Sequence, residues 1–284
     1  MVDQKQCSGA GDLTATVGFC FFIVRQVKLT SKFLRQPVKM PTEKAQAVKK
    51  FLKDHVYNLA VSSSGGGIVG LPDYEIHPRE FLEYAEAELS DLQSNRSVIN
   101  CISNLKRAID CQIDIFLYSL NLFNYYKKKR LGIDRKLGFI EKCGMFSKYS
   151  LSRINAIRNK LEHEYKTPKI DDIYVYFDIV SAFISTLEVQ LLIGGGDARL
   201  NFLLVEYPED ENEDEVPTGR LTSEYDPESC THTFTWKNKI TAETHAANAE
   251  DLDELAAFIR YHILLLNVNR TYHGAYANSQ FARL

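Results

Sequence analysis

Arg158-Asn159-Lys160-Leu161-Glu162-His163-Glu164-Tyr165 is the stretch of this 284-residue chain whose residue types and spacing could do chemistry. An imidazole titrates near neutrality, so His163 can take a proton from a hydroxyl or return one to a leaving oxygen. A guanidinium five positions earlier, Arg158, offers fixed charge to phosphoryl oxygens. Together they suit cleavage of an RNA phosphodiester, where the 2'-hydroxyl is the nucleophile and no metal is needed. Given the abundance of these residue types in the chain, R-x4-H arises by chance about 0.3 times and R-x4-H-x-Y about 0.02 times.

Those residues need a helix to bring them together. Ser150 is a good N-cap, and LSRINAIRNKLEHEY reads as a helix from Leu151 to Tyr165. At about 100° per residue, Leu151, Ile154, Ile157, Leu161 and Tyr165 form one apolar stripe. Arg158 borders it, while Asn155, Asn159, Glu162 and His163 make a polar face suited to a partly solvated cleft. A second copy packed about a two-fold axis would bring two arginines and two histidines into one basic groove. The purely structural alternative pairs Arg158 with Glu162 at i+4 and leaves Tyr165 at the edge of the core.

Other helices must surround this one. Pro78 fits a first helical position, and the spacing predicts a helix from there to about Ser94. A very long helix follows from Asn95 to Tyr126, closed by Lys127, Lys128, Lys129 and Arg130. These four cations complement a helix dipole or, with Lys160, meet RNA phosphates. A short helix from Asp134 to Lys142 ends at Gly144, and another runs from Pro168 to Ile193. Then the period switches to two. Asn201–Tyr207, Arg220–Tyr225, Thr231–Trp236 and Ile240–His245 read as strands, and Ala249–Asn267 as an amphipathic helix. The expected fold is mainly α: an up-and-down helical bundle followed by a small α+β domain of antiparallel sheet plus one helix. The expected divisions are an N-terminal extension and linker (1–76), with a helix-like piece from Thr42 to Leu59 and a flexible SSSGGG at Ser62–Gly67, the bundle (77–193), and an acidic accessory domain (197–284).

Composition bounds the function classes. The chain is 45% hydrophobic, 25% charged and has a net charge of -3, which excludes disorder throughout. Its six cysteines lack zinc-ligand spacing, so free thiols, a cytoplasmic location and no metal or cofactor are expected. The apolar run Val17–Val24 is too short to span a bilayer and makes a poor signal peptide, so no membrane partner is expected. Charge is unevenly spread. Lys127–Lys169 holds thirteen Lys/Arg against four Asp/Glu, whereas Asn201–Ala256 holds three against fifteen. One surface should meet anions, and the acidic segment should repel them, shield the first surface or recruit a regulatory partner. His232, His245, His262 and His273 show no site spacing, and Trp236 reads as the anchor of the C-terminal core.

RNKLEHEY resembles the signature of the HEPN family, R-x4-6-H with a polar residue after the arginine, and H-x-Y resembles the branch found in HEPN/nucleotidyltransferase toxin-antitoxin pairs. The resemblance covers about residues 77–193. It implies a homodimeric, metal-independent endoribonuclease that leaves 2',3'-cyclic phosphate and 5'-hydroxyl ends, acting in defence or stress response. Arg158 and His163 would be catalytic and Asn159 supporting, and the dimer would form through the motif-bearing helix. Tyr165 would be open to adenylylation by a nucleotidyltransferase partner. The alternative is a catalytically silent bundle that binds RNA or protein through the same groove.

Overall fold

The computed structural model describes residues 42–206 and 216–283, apart from 69, 91–93, 148, 151, 152, 154, 155, 158, 160–169 and 271–273. Thr42 starts the first helix, its hydroxyl accepting the Ala45 N–H at 3.3 Å. This is α1 (Glu43–His55), which buries Ala45, Val48 and Leu52 at the spacing of one helical face. The chain then turns into β1 (Leu59–Gly65).

β1 pairs with a strand that lies far along the sequence. Its neighbour is β2 (Arg199–Glu206), followed by β3 (Val216–Asp226), β4 (Thr231–Asn238) and β5 (Ala242–Asn248). The sheet order is β1-β2-β3-β4-β5, every neighbouring pair antiparallel. Period-two alternation sends Leu200, Phe202, Leu221, Ser223, Tyr225, His232 and Phe234 to one buried face. Helix α7 (Leu252–Arg270) lies against that face through Phe258, which meets Phe234 edge-on at 5.4 Å, and α8 (Gly274–Ala282) follows. Trp236 reaches across to α1 and stacks on Phe51 at 4.3 Å. The tryptophan thus fastens the N-terminal helix to the sheet.

Among the described residues, five further α-helices lie in the chain between β1 and β2. They are α2 (Pro78–Leu89), α3 (Asn95–Ser119), α4 (Phe123–Lys128), α5 (Ile133–Lys142) and α6 (Ile170–Gln190). α2, α3 and α6 pack on one another. α3 buries Val98, Ile102, Leu105, Ile109, Ile113 and Phe116, the series its apolar spacing predicts. α5 ends as expected at Gly144, whose φ of 74° is the left-handed conformation of a helix stop. The segment Asp172–Gly194 is the one span among the described residues long and apolar enough to cross a membrane. Here Ile173, Tyr176, Val180, Phe183, Ile184 and Leu187 are fully buried within the protein core.

The architecture is therefore a mixture of helices and a five-stranded antiparallel sheet, and three expectations change. Ser62–Gly65 is strand where a linker was expected, and residues 41–284 form one compact unit across the anticipated boundaries at 76 and 197. The reason is β1, whose ladder to β2 ties the two flanks together. Gly66 beyond it packs so tightly that a Cβ would lie 1.6 Å from the Gly195 carbonyl oxygen. Third, the long second helix stops at Ser119. Asn121 takes a left-handed φ of 53°, its N–H bonding the Tyr118 carbonyl at 2.8 Å, and α4 starts afresh at Phe123.

Candidate functional site

The break after α3 determines how the basic cluster is displayed. Lys127 and Lys128 end α4, Lys129 caps it, and Arg130 turns the chain away with a φ of 51°. The Lys129 N–H bonds the Tyr125 carbonyl at 3.0 Å, and the Leu131 N–H bonds that of Tyr126 at 3.0 Å. All four cations are exposed, and none has a carboxylate partner among the described residues. Because α4 has six residues, the cluster is more charge than one short helix end accounts for. Aromatic rings stand beneath it. The Lys127 ammonium lies 6.0 Å from the Phe123 ring centroid and that of Lys129 5.9 Å from Tyr125, while Tyr118 stacks on Phe123 at 4.3 Å. Unpaired cations interleaved with rings suit a phosphate backbone and its bases.

Of the motif residues, Asn159 is helical and exposed. Ile157, on the expected apolar stripe, is half-buried and packs against the core. Arg153 and Ala156 are helical and exposed. Arg158, Lys160, His163 and Tyr165 lie outside the described residues.

Two of the histidines that show no site spacing in the sequence come together in the fold. His232 and His262 are both fully buried, with ring centroids 5.0 Å apart, between the sheet and α7. The His262 Nδ1 lies 2.8 Å from the buried Ser223 hydroxyl, and its Nε2 lies 2.9 Å from the Asp197 carbonyl oxygen. The carbonyl can only accept, so Nε2 carries the proton and the Ser223 hydroxyl donates to Nδ1. Burial pushes His262 down to about 4, and His232 well below the usual histidine range, with the neighbouring imidazole adding to the effect. Ser223, His232 and His262 are all fully buried, so this serine-histidine contact is closed off from solvent by the described residues. The signal was present: His232 alternates with Phe234 on the inward face of β4, and His262 falls four residues after Phe258 on α7.

The thiols of Cys101 and Cys111 are raised by burial to about 12 and about 11, which keeps them protonated and poorly nucleophilic. No group of three metal-ligating side chains converges among the described residues. No family model matches this chain, and neither a curated protein nor a solved structure is found to match it.

Proposed function

We propose that this protein is a HEPN-type, metal-independent endoribonuclease, acting in the cytoplasm as a homodimer in defence or stress response. The observation that carries the reading is the R-N-x3-H-x-Y sequence in a helix-rich region of the chain. The exposed, unpaired stretch Lys127–Arg130 with its flanking rings adds support.

In this reading the basic stretch holds the RNA backbone. Arg158 neutralises charge on the phosphoryl oxygens, with Asn159 beside it. His163 takes the proton from the 2'-hydroxyl or delivers one to the departing 5'-oxygen. The 2'-oxygen bonds to phosphorus as the bond to the 5'-oxygen breaks, which leaves a 2',3'-cyclic phosphate and a 5'-hydroxyl. The polar face of the motif-bearing helix would meet its symmetry mate, and Tyr165 would be the residue open to adenylylation.

The test compares wild type and His163→Ala on total cellular RNA in EDTA, with the new ends mapped and assayed for cyclic phosphate. Cleavage by wild type alone is the expected result, with a pH-rate limb near the histidine range. If neither protein cleaves while both bind RNA as folded dimers, the chain is a silent binding module and the nuclease reading is wrong.

A further inference from the structure

The outward face of the sheet carries a groove with one positive end. Asn201–Ala256 holds three basic residues among fifteen acids, and two of them, Arg220 and Lys237, are direct cross-strand partners on β3 and β4. Both are exposed, and neither has an ion-pair partner among the described residues. Like charges set opposite each other on adjacent strands oppose folding, and among the described residues no carboxylate offsets this pair. One register step along the sheet runs a ladder of neutral hydrogen-bonding groups. The Thr222 hydroxyl donates to the Asn201 side-chain Oδ1 at 3.0 Å, the Asn201 side-chain Nδ2 donates to the Ser63 hydroxyl at 3.1 Å, and the Thr235 and Thr244 hydroxyls meet at 3.1 Å.

Two hollows follow this row, and they adjoin at Ser63 and Asn201, which line both. The one with Arg220 and Lys237 measures about 320 Å³, and the one bounded by Gly65–Gly67, Asp226 and Glu228 about 670 Å³. These are ligand-sized spaces. Their ends differ in chemistry. In the second, Arg199 is paired with Glu224 at 2.8 Å, which leaves the carboxylates of Asp226 and Glu228, and Asp226 is held ionised by hydrogen bonds from the Ser229 hydroxyl and the Glu228 N–H. Four residues of strand, about 14 Å, separate the register of Arg220 from that of Glu224 beside the acidic end.

We propose that this groove binds a small phosphorylated molecule of nucleotide dimensions, its phosphate on Arg220 and Lys237 and its hydroxyl or amine donors directed to Asp226 and Glu228. The polarity of the groove selects this class. An extended nucleic-acid strand would carry its charge onto the carboxylates, and an inorganic anion would leave the acidic end unused. The hydroxyl ladder between the ends supplies donors and acceptors to a ribose or other polyol.

The experiment titrates AMP, ribose 5-phosphate, inorganic phosphate and a short single-stranded DNA into the full chain, following Tm and heat of binding. AMP is expected to raise Tm saturably, and Arg220→Ala/Lys237→Ala to weaken it at least about tenfold. The unliganded Tm of that variant should match or exceed the wild-type value, since a like-charge contact is removed. Asp226→Asn should weaken AMP while leaving inorganic phosphate unchanged. Ribose 5-phosphate binding as tightly as AMP supports the site and identifies the sugar phosphate as its source. Three results overturn the proposal: inorganic phosphate matching AMP, DNA binding through Arg220 and Lys237 without AMP binding, or no binding by any of the four. None depends on ribonuclease activity.

Discussion

His232 sits in the core with neither ring nitrogen hydrogen-bonded, beside Phe234 at 4.9 Å and Phe258 at 6.1 Å. An unpaired buried polar group costs about 1–3 kcal/mol. His232→Leu is therefore expected to stabilise the protein by about 1–2 kcal/mol at neutral pH, read as a higher midpoint in urea. A lower midpoint would reveal a partner that the geometry does not show. The same residue governs acid sensitivity together with His262. Both are held below the ordinary 6.5 in the folded chain, so below that value, and down to about 4 for His262, the unfolded chain binds protons that the folded chain refuses. Stability from the pair is complete above about pH 6.5 and is lost as pH falls through this window. Melting curves from neutral to mildly acid pH should show a falling Tm, with a shallower fall in His232→Leu.

Between elements, single contacts join the helical insertion to the sheet. Tyr225 on β3 donates its buried hydroxyl to the Leu120 carbonyl at 2.6 Å, where α3 stops, and Asn121 donates to the Pro227 carbonyl at 3.0 Å. Tyr225→Phe keeps the ring and strands that carbonyl, so unfolding free energy should drop by about 1–2 kcal/mol. An unchanged value would mean that the phenol contributes nothing to docking. The same break exposes the basic cluster. Replacing Lys127, Lys128, Lys129 and Arg130 by alanine should weaken binding of single-stranded RNA and flatten the slope of log affinity against log salt by about 3. If the slope does not move, the RNA backbone lies elsewhere.

These elements were unevenly legible. The helices beginning at Pro78 and Asn95 and the four strands after Arg199 follow from apolar spacing that one burial face imposes. The stop at Ser119 was hidden because Leu120, Leu122 and Phe123 continue an apolar series, and only the left-handed Asn121 interrupts it. β1 was hidden because an edge strand with one buried residue needs little apolar sequence, and its serines read as linker. The motif around His163 is legible as a string of side-chain types. The groove at Arg220 is not, since its lining comes from four strands set side by side only by register.

At the scale of the molecule, the partition into extension, bundle and accessory domain gave way to an insertion. Sequence reading favours neighbours, and nothing local announces that Leu59 will pair with Leu204. A cut at residue 197 would therefore take away the partner of β1 and leave an open edge. It would be a poor way to ask what the acidic segment does to the nuclease.

The ladder from β1 to β2 also acts as a clasp. Gly65 and Arg199 are cross-strand partners, so both ends of the helical region are pinned about 5 Å apart. Loop-closure entropy grows only with the logarithm of length, so the sheet tolerates a turn the size of a domain. Once the clasp is shut, the helical region cannot drift from the sheet when Tyr225 releases Leu120. The two stay at an effective concentration on the order of millimolar, and the contact re-forms faster than a separate partner could intervene.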